Sequence, residues 1–247
     1  MTITKHIPNT ITCLNILSGC IASLLAIEGY LFGASLVILL AAVFDFMDGM
    51  FARLLGAYSE MGKELDSLAD MLSFGFAPAC IAFSYMKLAV LGDTAFTPET
   101  LSYSQLAIVL SAFLISIFSG LRLAKFNVDT RQTTSFMGIP TPANAMFWAS
   151  LPIVLHFGDY PMIENLLANQ WLILGAIIIT SLLLVSEIPM FALKVKNLKW
   201  QENKIRYLFL ITLAILAILL KWLVIPLILF VYIFFSLINN MTKKESK

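Results

Sequence analysis

Residues 44–80, FDFMDGMFARLLGAYSEMGKELDSLADMLSFGFAPAC, place four aspartates in an otherwise oily chain. Asp45, Asp48, Gly49 and Ala52 fall at i, i+3, i+4 and i+7, so a helix carries them on one face. Asp66 and Asp70, at i and i+4, share a face of the next helix. Gly56, Gly62 and a mildly polar bend separate the pairs, so the helices can fold back antiparallel with their acidic faces meeting. Four carboxylates that close repel one another, and a bilayer raises the cost of each charge. The stretch supplies only Arg53 and Lys63 as counter-charges, neither clearly on the acidic faces. Divalent cations resolve the repulsion. An all-oxygen donor set without His or Cys points to hard ions, Mg²⁺, Mn²⁺ or Ca²⁺, rather than zinc.

The rest of the chain sets this stretch in a membrane. Of 247 residues, 60% are hydrophobic, and the mean hydropathy is +0.89. A soluble domain is nearer half apolar, so the fold class is an all-α polytopic membrane protein. At roughly 20 residues per span, eight transmembrane helices are expected near 9–28, 31–55, 64–91, 103–126, 141–158, 169–193, 204–220 and 222–240. Lys221 leaves a very tight turn between the last two. The first apolar segment, broken by Asn15 and Ser18, reads as a retained helix rather than a cleaved leader. The three cysteines, Cys13, Cys20 and Cys80, sit in apolar segments without metal spacing and read as packing residues. A net charge of +1 gives no reason to expect a nucleic-acid partner.

Orientation follows from the loops. With the N-terminus inside, fourteen of the sixteen Lys and Arg residues fall on the cytoplasmic side, leaving Lys87 and Lys221 outside. Both termini are therefore expected to be cytoplasmic, with the four aspartates near the cytoplasmic boundary. Asn9 lies at the right depth to approach them. The loop SGLRLAKFNVDTRQTTSFMGIPTPANA carries Arg122, Lys125 and Arg131. Arg122 lies within a predicted helix, where a buried guanidinium needs an anionic partner such as a phosphate or carboxylate. Pro140 and Pro142 open the following helix, and Asn144 lies one turn in, within reach of backbone or ligand. Two metal ions caged by carboxylates at a lipid boundary suit a pyrophosphate, whose charge they neutralise. Gly49 and Ala52 leave room for a substrate against the helix.

These residues also resemble a known family. Asp45-x2-Asp48-Gly49-x2-Ala52-Arg53-x8-Gly62-x3-Asp66-x3-Asp70 resembles the complete signature of the CDP-alcohol phosphotransferases, with eight defined positions at fixed spacing. SFGFAPA, GLRLAKFN and GIPTPANA are similar to segments of its phosphatidylserine synthase branch. The likeness covers most of residues 8–192. It implies a six-helix catalytic core within residues 1–193, followed over 194–247 by a basic loop, two further helices and a basic tail. It implies two divalent cations, Mg²⁺ or Mn²⁺, held by Asp45, Asp48, Asp66 and Asp70, with Asp70 also the general base. Asp48, Gly49, Ala52, Arg53, Gly62 and Asp66 would bind the CDP moiety of CDP-diacylglycerol. L-serine would be the acceptor; its specificity needs a clamp, for which Arg122, Lys125 and Arg131 are the candidates at the carboxylate and Glu64 or a remaining aspartate oxygen at the ammonium. A homodimer in a bacterial or archaeal cell membrane is the expected setting. Two alternatives remain open: the same chemistry with glycerol 3-phosphate or inositol phosphate as acceptor, and a divalent-metal transporter using the aspartates in transit.

Overall fold

A computed structural model describes residues 6–92, 96–128, 136–191 and 200–245. Helices α1 (Ile7–Ile27) and α2 (Leu31–Leu54) form a tight hairpin through Gly29, whose φ of +87° is a value that side-chain-bearing residues rarely adopt. Helix α3 (Glu60–Asp70) runs through a π-helical turn (Met71–Phe76) into α4 (Ala77–Leu91). A 3₁₀ turn likewise joins α5 (Tyr103–Leu110) to α6 (Leu114–Val128). There follow α7 (Thr141–Phe157), α8 (Pro161–Ala168), α9 (Gln170–Val185), α10 (Trp200–Leu220) and α11 (Val224–Glu245). A two-residue antiparallel pair, β1 (Phe136–Met137) with β2 (Pro189–Met190), is the only strand pairing among the described residues.

Local chemistry sets these boundaries. Pro8 stands in the first turn of α1, where a missing N–H leaves no bond unmade. Ser102 and Gln105 form a capping box at the start of α5, and the Asn169 side chain accepts from the N–H groups of Trp171 and Leu172. Pro226 falls in the first turn of α11.

Four stretches, α1, α2, α3–α4 and α5–α6, are each long and apolar enough to cross a bilayer. A fifth runs from Asn203 to Met241, and α8 with α9, bent by 89°, qualifies only as a pair. The fifth stretch is folded on itself. Lys221 takes φ +51°, and the Phe209 ring lies 6.0 Å from those of Tyr232 and Phe235. A straight helix would hold Phe209 and Tyr232 about 35 Å apart. The tight turn expected at Lys221 is thus present, and α10 and α11 are the arms of a hairpin. The hairpin is tied to the core by Tyr232 Oη donating to the Phe191 carbonyl at 2.8 Å and by Asn240 Nδ2 donating to that of Pro189 at 2.7 Å.

Two boundaries differ from expectation. The helix expected over 169–193 ends at Val185, because Ser186 turns extended and Pro189 disfavours helix in the residue before it. Within the outer loop expected around 158–170, Pro161–Ala168 forms helix α8.

The core is built on close approach. α1 and α4 run parallel: Ser73 and Ser84 donate to the carbonyls of Asn15 and Ala26, at one constant offset of 58 residues. Gly19 makes this possible, since a Cβ there would lie 2.6 Å from Ser73 Oγ and 3.0 Å from its backbone. Small residues and hydroxyl-to-carbonyl bonds are how helices associate where lipid offers no hydrophobic drive. On the opposite side Ser116 Oγ donates to the Gly75 carbonyl at 3.2 Å. The π-helical turn is therefore gripped from both flanks, and Phe74, Ile81, Ile115 and Trp148 fill the space around it, each below 2% exposed. This core fixes the direction of the residue that precedes it, Asp70.

Candidate active site

The end of α2 and the start of α3 are joined by two capping devices. Gly56, at φ +58°, ends α2 in a Schellman arrangement, with Gly56 N–H bonded to Arg53 O and Ala57 N–H to Ala52 O. Ser59 Oγ then accepts from Gly62 N–H at 3.0 Å and starts α3. The chain reverses within a few residues, which brings the acidic face of α3 back onto that of α2.

The two faces meet. Asp45, Asp48 and Asp66 each offer a carboxylate oxygen within 4.8 Å of the others. Asp70 lies beside them, its carboxyl bonded to that of Asp45 and close enough to Asp66 and to the Arg122 guanidinium to feel their charges. Asp48 is 5% exposed and the other three are half-buried. Two buried carboxylate oxygens, Asp48 Oδ2 and Asp70 Oδ1, have no hydrogen-bond partner among the described residues. Arg122 is the buried cation beside this cluster. Arg53 is exposed, its Nε donating to the Gly49 carbonyl at 2.9 Å. Four acids against one buried guanidinium, with orphaned oxygens and an all-oxygen donor set, fit a hard divalent cation.

A cavity of about 340 Å³ opens beside the cluster, between the start of α1, the end of α2 and the start of α3. Its walls include Pro8, Asn9 and Thr12 from α1, and Asp48, Gly49, Ala52 and Arg53 from α2. Gly62, Lys63 and Asp66 close the third side. The residues expected to bind the nucleotide (Asp48, Gly49, Ala52, Arg53, Gly62 and Asp66) thus all face one space. A Cβ on Gly49 would meet nothing within 4 Å, so the room there is real and is left by the missing side chain.

The remaining candidates divide. Arg122 is 8% exposed; its Nη1 donates to Thr141 Oγ1 at 2.9 Å and its guanidinium lies 5.5 Å from the Phe126 ring centroid. Lys125 is half-buried and pairs with the exposed Glu187 at 3.4 Å. Glu64 is exposed on α3. Arg131 lies outside the described residues. Sequence reading missed Thr141 as the partner of Arg122, and Asn127, whose Nδ2 donates to Ser67 Oγ at 3.0 Å and ties the end of α6 to the acidic helix. Both stand inside the segments GIPTPANA and GLRLAKFN, but no spacing rule links residues 19 or 60 apart.

Residues 5–182 match the CDP-alcohol phosphatidyltransferase family. The chain belongs to that family. It is thereby a membrane-embedded transferase of phospholipid synthesis. The CDP-diacylglycerol–serine O-phosphatidyltransferase of Bacillus subtilis (strain 168) is 36% identical over 161 residues, which cover 61% of this chain and 82% of the relative. The enzyme of the same name from Helicobacter pylori (strain J99) is 31% identical over 215 residues, 85% of this chain and 80% of the relative. The archaetidylserine synthase of Methanothermobacter thermautotrophicus is 31% identical over 173 residues, 69% of this chain and 68% of the relative.

Proposed function

We propose that this chain transfers the phosphatidyl group of CDP-diacylglycerol to the hydroxyl of L-serine, giving phosphatidylserine and CMP. The observation that carries the reading is the meeting of Asp45, Asp48 and Asp66 within 4.8 Å at the wall of a 340 Å³ cavity, with Asp70 behind them. The choice of serine is supported by the names of the relatives in bacteria and archaea.

Asp45, Asp48, Asp66 and Asp70 would hold two divalent cations, Mg²⁺ or Mn²⁺, with Ca²⁺ also suited to the oxygen set. Bound there, the ions would neutralise the pyrophosphate of the donor and polarise the phosphorus under attack. Gly49, Ala52 and Gly62 give the CDP moiety its space, and Arg53 and Lys63 face its charge. Asp70 takes the proton of the acceptor hydroxyl. The serine oxygen bonds to the phosphorus on the diacylglycerol side as the bond from that phosphorus to the CMP oxygen breaks, and CMP leaves with the bonding pair. Arg122 stands on the far side of Asp70 and receives the serine carboxylate through the guanidinium edge that Thr141 leaves open.

The membrane setting follows from the charge of the loops. Eight spans with both termini in the cytoplasm put the acids at the cytoplasmic boundary, in a core of residues 1–193 to which 194–247 adds a basic loop, the α10–α11 hairpin and a basic tail. A homodimer in a bacterial or archaeal cell membrane completes the proposal.

Purified protein supplied with CDP-diacylglycerol and one alcohol at a time decides the acceptor. CMP release with L-serine, and none above background with glycerol 3-phosphate or inositol phosphate, is the expected result. Release with a phosphorylated alcohol instead would move the chain to another branch of the family.

A further inference from the structure

Beyond Asp70 lies a group of buried polar side chains that do not line the nucleotide cavity. Thr141 and Asn144 stand one turn apart on one face of α7, where residues at i and i+3 are neighbours. Arg122 on α6 bridges to that face through its bond to Thr141 Oγ1 at 2.9 Å. Thr141 and Asn144 are fully buried and Arg122 is 8% exposed. Yet Arg122 Nε and both ends of the Asn144 carboxamide, Oδ1 and Nδ2, have no partner among the described residues. An asparagine that served packing alone would have its amide bonded, because buried polar groups almost always are.

The unfilled valences form a specific set. They are one guanidinium donor, on the arginine that interacts with the proposed general base, and one amide donor and one amide acceptor, one turn along α7 from that arginine's threonine partner. A carboxylate satisfies the two donors. An ammonium satisfies the amide oxygen with a charge-assisted bond, stronger than the one a polyol hydroxyl would donate. The pattern is complementary to the zwitterionic head of an α-amino acid.

We infer that Asn144 is a specificity-determining residue that reads the α-amino-acid head group of the acceptor together with Arg122, while Thr141 acts as a positioning residue for the guanidinium. This rests on the proposed transfer to an amino-acid hydroxyl and names the side chain that selects it.

The test compares wild type, Asn144→Ala and the isosteric Asn144→Asp in CMP release, with L-serine and with serinol, which keeps the amine and hydroxyl but lacks the carboxylate. Asn144→Ala raises KM for serine about tenfold or more, leaves kcat within about threefold, leaves KM for CDP-diacylglycerol unchanged and narrows the preference for serine over serinol. Asn144→Asp, of the same shape but charged against the carboxylate, raises the serine KM further. An unchanged serine KM in either variant overturns the inference. So does a loss of kcat and melting temperature with the serine-to-serinol preference intact, the outcome of a purely structural role. Wild type that releases CMP with no amino-acid acceptor, or only with another alcohol, instead refutes the proposed function and takes this inference with it, so the two failures are distinguishable.

Discussion

Replacing Gly49 by alanine has two effects of opposite sign. Gly49 is interior to α2 and lines the nucleotide cavity, and a Cβ built on it meets no atom within 4 Å. Glycine inside a helix is less favourable than alanine by about 0.5–1 kcal/mol, and nothing in the fold opposes the new methyl. Gly49→Ala is therefore expected to stabilise the protein by about that amount. The same methyl projects into the space assigned to the donor nucleotide. Forcing an extra methyl into a filled contact costs about 1–3 kcal/mol, or roughly 5- to 150-fold in kcat/KM for CDP-diacylglycerol. Thermal unfolding in detergent and CMP release at varied donor and saturating serine read the two effects separately. A variant that is more stable yet keeps wild-type kcat/KM would show that the donor does not occupy this cavity. A variant that is less stable would show that the space beside Gly49 is not open.

Three further substitutions probe other parts of the site. Asp70→Asn, which removes the proposed base together with one proposed metal ligand and leaves Asp45, Asp48 and Asp66 in place, is expected to lower kcat by about 10²- to 10⁴-fold; a wild-type kcat for CMP release would exclude Asp70 as the base. Gly19→Ala puts a methyl 2.6 Å from Ser73 Oγ and is expected to destabilise by about 1–3 kcal/mol, whereas Gly33→Ala, with 3.7 Å to its nearest neighbour, should unfold like wild type. Arg122→Ala is expected to weaken serine affinity by about 10- to 100-fold in the same assay, and a variant of unchanged serine KM would remove Arg122 from the acceptor site.

The site was legible in the sequence to the extent that it depends on helical spacing. Asp45 with Asp48, and Asp66 with Asp70, lie on the faces their intervals dictate, and Gly56 supplies the reversal between them. Helix ends governed by strong local chemistry were also readable: Pro140 and Pro142 open α7, and Lys221 carries the tight turn. What could not be read depends on contacts across the fold. The π-helical turn after Asp70 has no signature in MLSFGF; it is held by Ser73 bonding to the Asn15 carbonyl of α1 and by Ser116 of α6 bonding to the Gly75 carbonyl. The bond between Arg122 and Thr141 joins two helices whose relative rotation no single helix specifies. The expectation that set Arg122 apart from Lys125, as a buried guanidinium needing an anionic partner, matches its place: Arg122 is buried beside Asp70, while Lys125, three residues on, pairs with the exposed Glu187. The end of α9 falls short of residue 193 because Ser186 turns extended and Pro189–Met190 pairs with Phe136–Met137, a contact across the fold that span length does not reveal.

The account stands on two acidic helix faces converging to hold a pair of hard divalent cations, and ion binding tests that without relying on turnover. Purified protein freed of metal with EDTA is titrated with Mn²⁺ and followed by electron paramagnetic resonance, alongside Asp48→Asn and Asp66→Asn. Two Mn²⁺ per chain, magnetically coupled in the wild type and lost or uncoupled in either variant, is the predicted result. Wild type that binds no Mn²⁺ saturably, or binds it identically after both substitutions, would contradict the account.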